Sequence, residues 1–202
     1  HALPFLAKYI NIIEINSSFY RPPSISIALS WIKKVDGFPD FLFTVKLHQI
    51  FTHQRKDFSK KDVDNFKQGI EPLQANNRLA ALFIQFPWSF AYTTLNTGYL
   101  IGLLNLFSDY PMALEVRNGS WHRDEFYKLL SEHRVGFCNI DQPVINNSIK
   151  PSAIATNDQF SYVRLHGRNY KNWFRENAGR DERYNYLYTK DELKGWVQKI
   201  RN

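Results

Sequence analysis

Six short apolar runs recur along the chain with helix-like stretches between most of them, and this rhythm restricts the fold more than any other feature. The runs are Asn11–Ile15, Phe41–Val45, Leu79–Phe86, Met112–Val116, Gly136–Ile140 and Tyr162–Leu165. Their spacing of about 25 to 40 residues matches successive βα units, in which parallel strands need a long crossover. Most are continuously hydrophobic and not alternating, as expected of strands covered on both faces. Ser24–Lys34, Asp62–Glu71 and Asp124–His133 each place apolar residues at helical spacing, exemplified by Ile25, Ala28, Leu29 and Ile32. Thr189 and Glu192 form a capping-box pattern that opens a last helix running to Asn202, and His1 to Ile10 reads as the end of another amphipathic helix. Asp141–Asn157, with two prolines and three asparagines, reads as an extended loop. An open doubly wound sheet and a closed (β/α)₈ barrel both accept this alternation. No glycine-rich turn follows a strand, so the dinucleotide-binding form of the open sheet lacks its main support.

At 202 residues and 44% hydrophobic content, one domain spanning 1–202 is expected. Its 16 Phe, 11 Tyr and 5 Trp argue against disorder. The net charge of +7 brings a polyanion into consideration, but Lys60, Lys61, Arg123, Lys190, Lys194, Lys199 and Arg201 fall on predicted helices, where a solvated outer face explains them. The single cysteine, Cys138, lies in an apolar run and has no partner in the chain, which favours a reducing compartment such as the cytoplasm. No apolar run approaches the ~20 residues of a membrane span, so no membrane partner is expected; oligomeric state is left open.

Each run ends in polar residues, at the strand end where α/β proteins assemble their sites. The first gives Glu14 and Asn16, then Tyr20; the second Lys46, with His53 in the loop beyond; the third Gln85; the fourth Glu115 and Arg117; the fifth Asn139 and Asp141; the sixth Arg164, His166 and Arg168. Residues at i and i+2 share a face of a strand, so Glu14/Asn16, Glu115/Arg117, Asn139/Asp141 and Arg164/His166 are each expected to point together, into one pocket. Lys46, His53 and His166 are candidates for proton transfer; a buried Lys46 would have a lowered pKa and can also serve as an imine-forming amine. The alternative is structural: Lys46 paired with a carboxylate, Glu115 with Arg117 as a buried ion pair, and Arg164 neutralising Asp141 or Glu14. Glu14, Glu115, Asp141 and His166 offer ligands for a divalent metal at undiagnostic spacing. Trp121, like Trp88 and Trp173, can stack on a ligand or pack in the core. Serine-hydrolase, P-loop and thiol-enzyme patterns are absent.

The motifs Glu14-Ile15-Asn16-Ser17-Ser18-Phe19-Tyr20, Lys46 followed by Thr52-His53, Gln85-Phe86-Pro87, Leu114-Glu115-Val116-Arg117 with Trp121, and Tyr162-Val163-Arg164-Leu165-His166-Gly167-Arg168 together resemble the YecE-like family, domain of unknown function 72. Asn172-Trp173-Phe174-Arg175 and Tyr184 to Tyr188 extend the ordered set. The resemblance implies a TIM-barrel-like fold and assigns no reaction. Family members usually begin with a strand and a Gly-Thr-Ser-Gly-Trp-like turn and finish with an aromatic strand bearing asparagines. Neither is found here, so a barrel without its first and last strands is expected, with open sheet edges and poor solubility.

The leading functional expectation is an enzyme acting on a small polar or anionic, sugar- or phosphate-like molecule. Lys46, His53, His166, Glu14, Glu115 and Asp141 would supply the chemistry, and Asn16, Tyr20, Gln85, Arg117, Trp121, Arg164 and Arg168 the binding contacts. The alternatives are a nucleic-acid-binding or nucleic-acid-processing protein using the basic surface, and a non-catalytic ligand-binding or scaffold protein.

Overall fold

The computed structural model of the chain describes residues 2–55, 57–173, 175, 177 and 179–201; of the residues named above, His1, Phe174 and Asn202 lie outside them. Six strands, β1 (Ile12–Ile15), β2 (Leu42–Lys46), β3 (Leu79–Gln85), β4 (Met112–Glu115), β5 (Val135–Asp141) and β6 (Tyr162–Leu165), form one parallel sheet in chain order. Eight helices accompany them among the described residues: α1 (Ala2–Leu6), α2 (Ile25–Lys34), α3 (Lys60–Ala75), α4 (Thr94–Leu106), α5 (Asp124–Glu132), α6 (Tyr170–Trp173), α7 (Arg180–Tyr184) and α8 (Lys190–Arg201).

Local chemistry sets the helix starts. The Ser24 side chain accepts the Ile27 N–H ahead of α2, Ser59 and Asp62 cap α3 reciprocally, and Thr189 and Glu192 do the same for α8. Apolar faces then pack on the sheet. Trp31 of α2 stacks on Phe43 of β2 at 6.2 Å between ring centres, and Tyr127 of α5 meets Phe137 of β5 at 5.2 Å.

Those contacts identify the outer face of the sheet, and the alternate residues face the other way. There Phe83 of β3 stacks on Tyr162 of β6 at 5.2 Å, and the Tyr162 hydroxyl donates to Glu14 of β1 at 3.0 Å. Side chains of the two edge strands therefore touch across the inner face. The sheet is curled into a deep trough, with the helices outside.

No helix follows β5; residues 142–161 run as irregular chain. Asn139 holds this segment to the outer face of β5, donating to the Ile154 carbonyl at 2.9 Å and accepting from the Ile154 N–H and Ser152 hydroxyl. Thr156 accepts the Phe137 N–H and donates to the Val135 carbonyl. Hydrogen bonds here act together with the apolar cover of Ile149, Ile154 and Phe160 where a crossover helix would otherwise pack. No helix among the described residues is long and apolar enough to cross a membrane.

Candidate functional site

The β1 motif positions the first wall of the site. Glu14 points inward, and Asn16 leads into a short 3₁₀ turn, Ser17–Phe19. The buried Ser18 hydroxyl lies 2.7 Å from the Ile15 carbonyl and 2.6 Å from the Lys46 carbonyl, tying this turn to the end of β2. That tie places the Phe19 ring over Lys46, whose Nζ lies 4.6 Å from the ring centre.

Lys46 Nζ donates to Gln85 Oε1 of β3 at 2.6 Å, and among the described residues it forms no ion pair. The expected carboxylate partner is replaced by an amide, because Glu14 and Glu115 are committed elsewhere. Burial, with Arg164 adding to it, lowers the Lys46 pKa from 10.5 to about 8. Beyond β2 the chain makes a π-helical turn at Ile50–Gln54, a rare geometry often associated with functional sites. It directs the His53 ring edge-on to Phe19 at 4.8 Å, with Thr52 Oγ1 3.0 Å from His53 Nδ1. Burial, followed by the positive charges of Lys46 and Arg117, lowers His53 to about 4, so its imidazole is neutral at neutral pH.

Under these groups lies a paired layer. Arg164 donates to Glu115 Oε2 at 2.6 Å and to Glu14 Oε1 at 3.0 Å, while its guanidinium lies over the Phe83 ring at 4.7 Å. Arg117 Nε donates to Glu115 Oε1 at 2.9 Å, and His166 Nε2 lies 3.5 Å from Glu115 Oε2. Glu115 is completely buried. Burial acts to raise its carboxyl, but Arg117, His166 and Arg164 outweigh that and hold it well below the ordinary carboxylate range.

Above this layer opens a cavity of about 660 Å³, lined by Asn16, Phe19, Tyr20, Lys46, His53, Gln85, Arg117, Arg164, His166, Arg183 and Tyr184. Among the described residues four cationic side chains, Lys46, Arg117, Arg164 and Arg183, reach its wall, and no carboxylate does. The arrangement can hold an anion against guanidinium and ammonium groups, with a neutral imidazole and a partly neutral amine beside it.

Eight of the sequence-derived candidates line this cavity, and Glu14 and Glu115 support it from below. Three candidates lie elsewhere. The register Cys138↔Tyr162 and Ile140↔Arg164 puts Cys138 and Ile140 on the inner face, and Cys138 Sγ lies 4.0 Å from Glu115 Oε2. Asn139 and Asp141 have the opposite parity and face outward, so the expectation that they enter the pocket is corrected. Asp141 instead binds Arg168 through both oxygens and accepts from Trp196 of α8, which takes Arg168 away as well. Trp121 is fully buried in a stack with Phe90 at 5.2 Å, and its indole donates to the Phe90 carbonyl. It is a core residue and not a ligand contact.

Phe19, Arg183 and Tyr184 were not among the sequence candidates. Phe19 lies inside the β1 motif and was readable as its aromatic member. Arg183 and Tyr184 come from α7, far from any strand end in sequence. They are delivered by the turn at Gly167, whose φ of +87° favours glycine and where an added Cβ would lie 2.6 Å from Tyr186 Cβ. Among the described residues no three His, Cys, Asp or Glu side chains gather as metal ligands. Arg164 bridges Glu14 and Glu115, and Asp141 faces the other side of the sheet, so the donor set proposed for a divalent metal does not fit one.

A family model described as "Protein of unknown function DUF72" matches residues 1–202. The chain is 32% identical over 211 aligned positions to UPF0759 protein YunF of Bacillus subtilis (strain 168), covering 96% of this chain and 73% of that protein. A crystal structure of a DUF72 family protein from Thermotoga maritima MSB8 superposes with a TM-score of 0.85 at 35% identity, over 100% of this chain and 78% of that one. A DUF72 family protein from Enterococcus faecalis V583 gives a TM-score of 0.88 at 24% identity, over 98% and 76%, a likeness of fold.

Proposed function

The chain belongs to the DUF72 family, and from that premise we propose that it is an enzyme acting on a small polar substrate bearing an anionic group, phosphate or carboxylate. The observation that carries this reading is the charge left over in the cavity. Among the described residues four cations reach the wall, and the two carboxylates beneath are already bound by Arg164 and Arg117. A concave site lined by one sign of charge concentrates ligands of the other. Arg117 and Arg183 would hold the anionic group, since a guanidinium matches it with paired donors. Lys46 and His53 would move protons, because each has an uncharged form accessible near neutral pH. His166 would orient from the Glu115 side, and Asn16, Gln85 and Tyr20 would contact neutral parts of the substrate.

We further propose that the curled sheet is the larger part of a (β/α)₈ barrel. Contacts between β6 and β1 across the inner face support this, as do relatives of which the chain covers about three quarters. In such a barrel the cavity lies at the C-terminal strand ends, the usual catalytic face. A cytoplasmic location belongs to the same reading, supported by the buried free thiol of Cys138.

The test is a thermal-shift series at low ionic strength comparing glycerol, glycerol phosphate, lactate and a neutral hexose. Stabilisation is expected from the anionic members and should be lost in Arg117→Ala. Equal shifts from the neutral members, or retention of the shift in the variant, would sink the reading.

A further inference from the structure

Lys46 differs in two respects from a lysine placed only to attract an anion. Its Nζ has an amide oxygen as partner, and the carboxylates that could have fixed it as an ammonium are held by Arg164 and Arg117. Phe19 covers one side of it and also packs against His53, so amine and imidazole share one aromatic wall. Arg117 and Arg183 already supply fixed positive charge to the same cavity. A third fixed cation adds little there, whereas an amine that can shed its proton adds a nucleophile.

We propose that Lys46 captures a carbonyl group, so that the substrate is a small aldehyde or ketone carrying an anionic group and the first covalent species is an imine on Nζ. This rests on the anionic-substrate reading above. In the step, the neutral Nζ lone pair attacks the carbonyl carbon and a C–N bond forms. The carbonyl π pair moves to oxygen, which takes a proton. The resulting hydroxyl takes a second proton and leaves as water, Nζ gives up both of its protons over the step, and a C=N bond remains. One water is released and nothing is oxidised or reduced. His53, neutral and in the same cavity, accepts the Nζ proton and returns it to the departing oxygen. The Lys46 pKa of about 8 is consistent with a reactive amine: at pH 8 roughly half of it is neutral, against less than about one part in a hundred for a lysine at 10.5.

The test uses the 202-residue chain with pyridoxal 5′-phosphate, an anionic aldehyde, below one equivalent at pH 8. Sodium borohydride then reduces any imine to a stable secondary amine, and labelled peptides are mapped by mass. Lys46 is expected to carry at least about tenfold more label than the exposed Lys60 and Lys190. Inorganic phosphate should suppress that label selectively. Lys46→Arg, which keeps the charge but cannot form the imine, should lose it while still being stabilised by phosphate. Uniform labelling of all lysines in a chain that phosphate stabilises would overturn the imine and leave the anion site standing. Uniform labelling with no phosphate effect would overturn both.

Discussion

Two polar clusters occupy the C-terminal rim of the sheet, one on each face. On the outer face Asp141 receives Arg168 at 2.9 and 2.6 Å and the Trp196 indole at 2.5 Å, while Glu192 takes the remaining Arg168 donor, the Tyr186 hydroxyl and the Thr189 backbone. Every charge there is paired, and the cluster joins β5, the turn after β6 and α8. On the inner face Glu14 and Glu115 are likewise bound, yet Lys46 and Arg183 have no carboxylate partner among the described residues. The two look alike in composition and differ in balance. A closed network holds a fold together, and a surplus of one sign is what a ligand can complete.

The comparison can be broken most forcefully at Glu115. Glu115→Gln leaves Arg117 and Arg164 facing each other without their shared counter-charge, and a loss of about 3–5 kcal/mol in unfolding free energy is expected. The folded pKa lies below that of the unfolded chain, so the stabilisation from Glu115 is full above the ordinary glutamate range and disappears as pH falls through the folded value. Urea unfolding between pH 3 and 7 should therefore show a flatter acid limb in the variant; parallel curves would contradict the assignment.

Next in size is Asp141→Asn, expected to cost roughly 2–4 kcal/mol by removing charge from a buried, three-donor site. Anion binding should be untouched, because this network lies on the other face. A variant that lost phosphate binding with its fold intact would erase the distinction between the clusters.

The smallest effect has the opposite sign. Lys46→Met should stabilise the chain by about 1–2 kcal/mol at pH 7, since the wild type bears the cost of a half-desolvated ammonium. The folded pKa of about 8 lies below the reference value of 10.5. The cost is therefore complete below pH 8 and fades as pH rises towards 10.5, so wild-type stability should climb through that window and the variant's gain should shrink. Thermal unfolding at pH 7 and pH 10 checks both points.

Much of this was legible in the chain. The six strands occur within a residue or two of their apolar runs, because a strand buried on both faces has a composition that little else produces. The Thr189–Glu192 cap before α8 was readable because its chemistry is local. Helix α4 was not seen: Leu95, Leu100, Ile101, Leu103 and Leu104 surround its axis, so no apolar stripe marks it. Nor was the facing of β5. Alternation shows that Asn139 and Asp141 share a side, but only the register with β6 shows which side that is. Trp121 failed as a ligand contact for a related reason, since whether an indole packs or stacks on a ligand depends on what surrounds it. Arg183 and Tyr184 could not be placed, because α7 reaches the cavity through a tertiary turn.

Titration calorimetry with inorganic phosphate at low ionic strength measures the charge surplus most directly. Saturable binding is expected in the wild type, weakened about tenfold or more by Arg117→Ala, as for loss of a charge-assisted hydrogen bond, and unchanged by Asp141→Asn. Absence of saturable heat, or equal affinity in all three proteins, would show that the inner cluster carries no free charge and is as closed as the outer one.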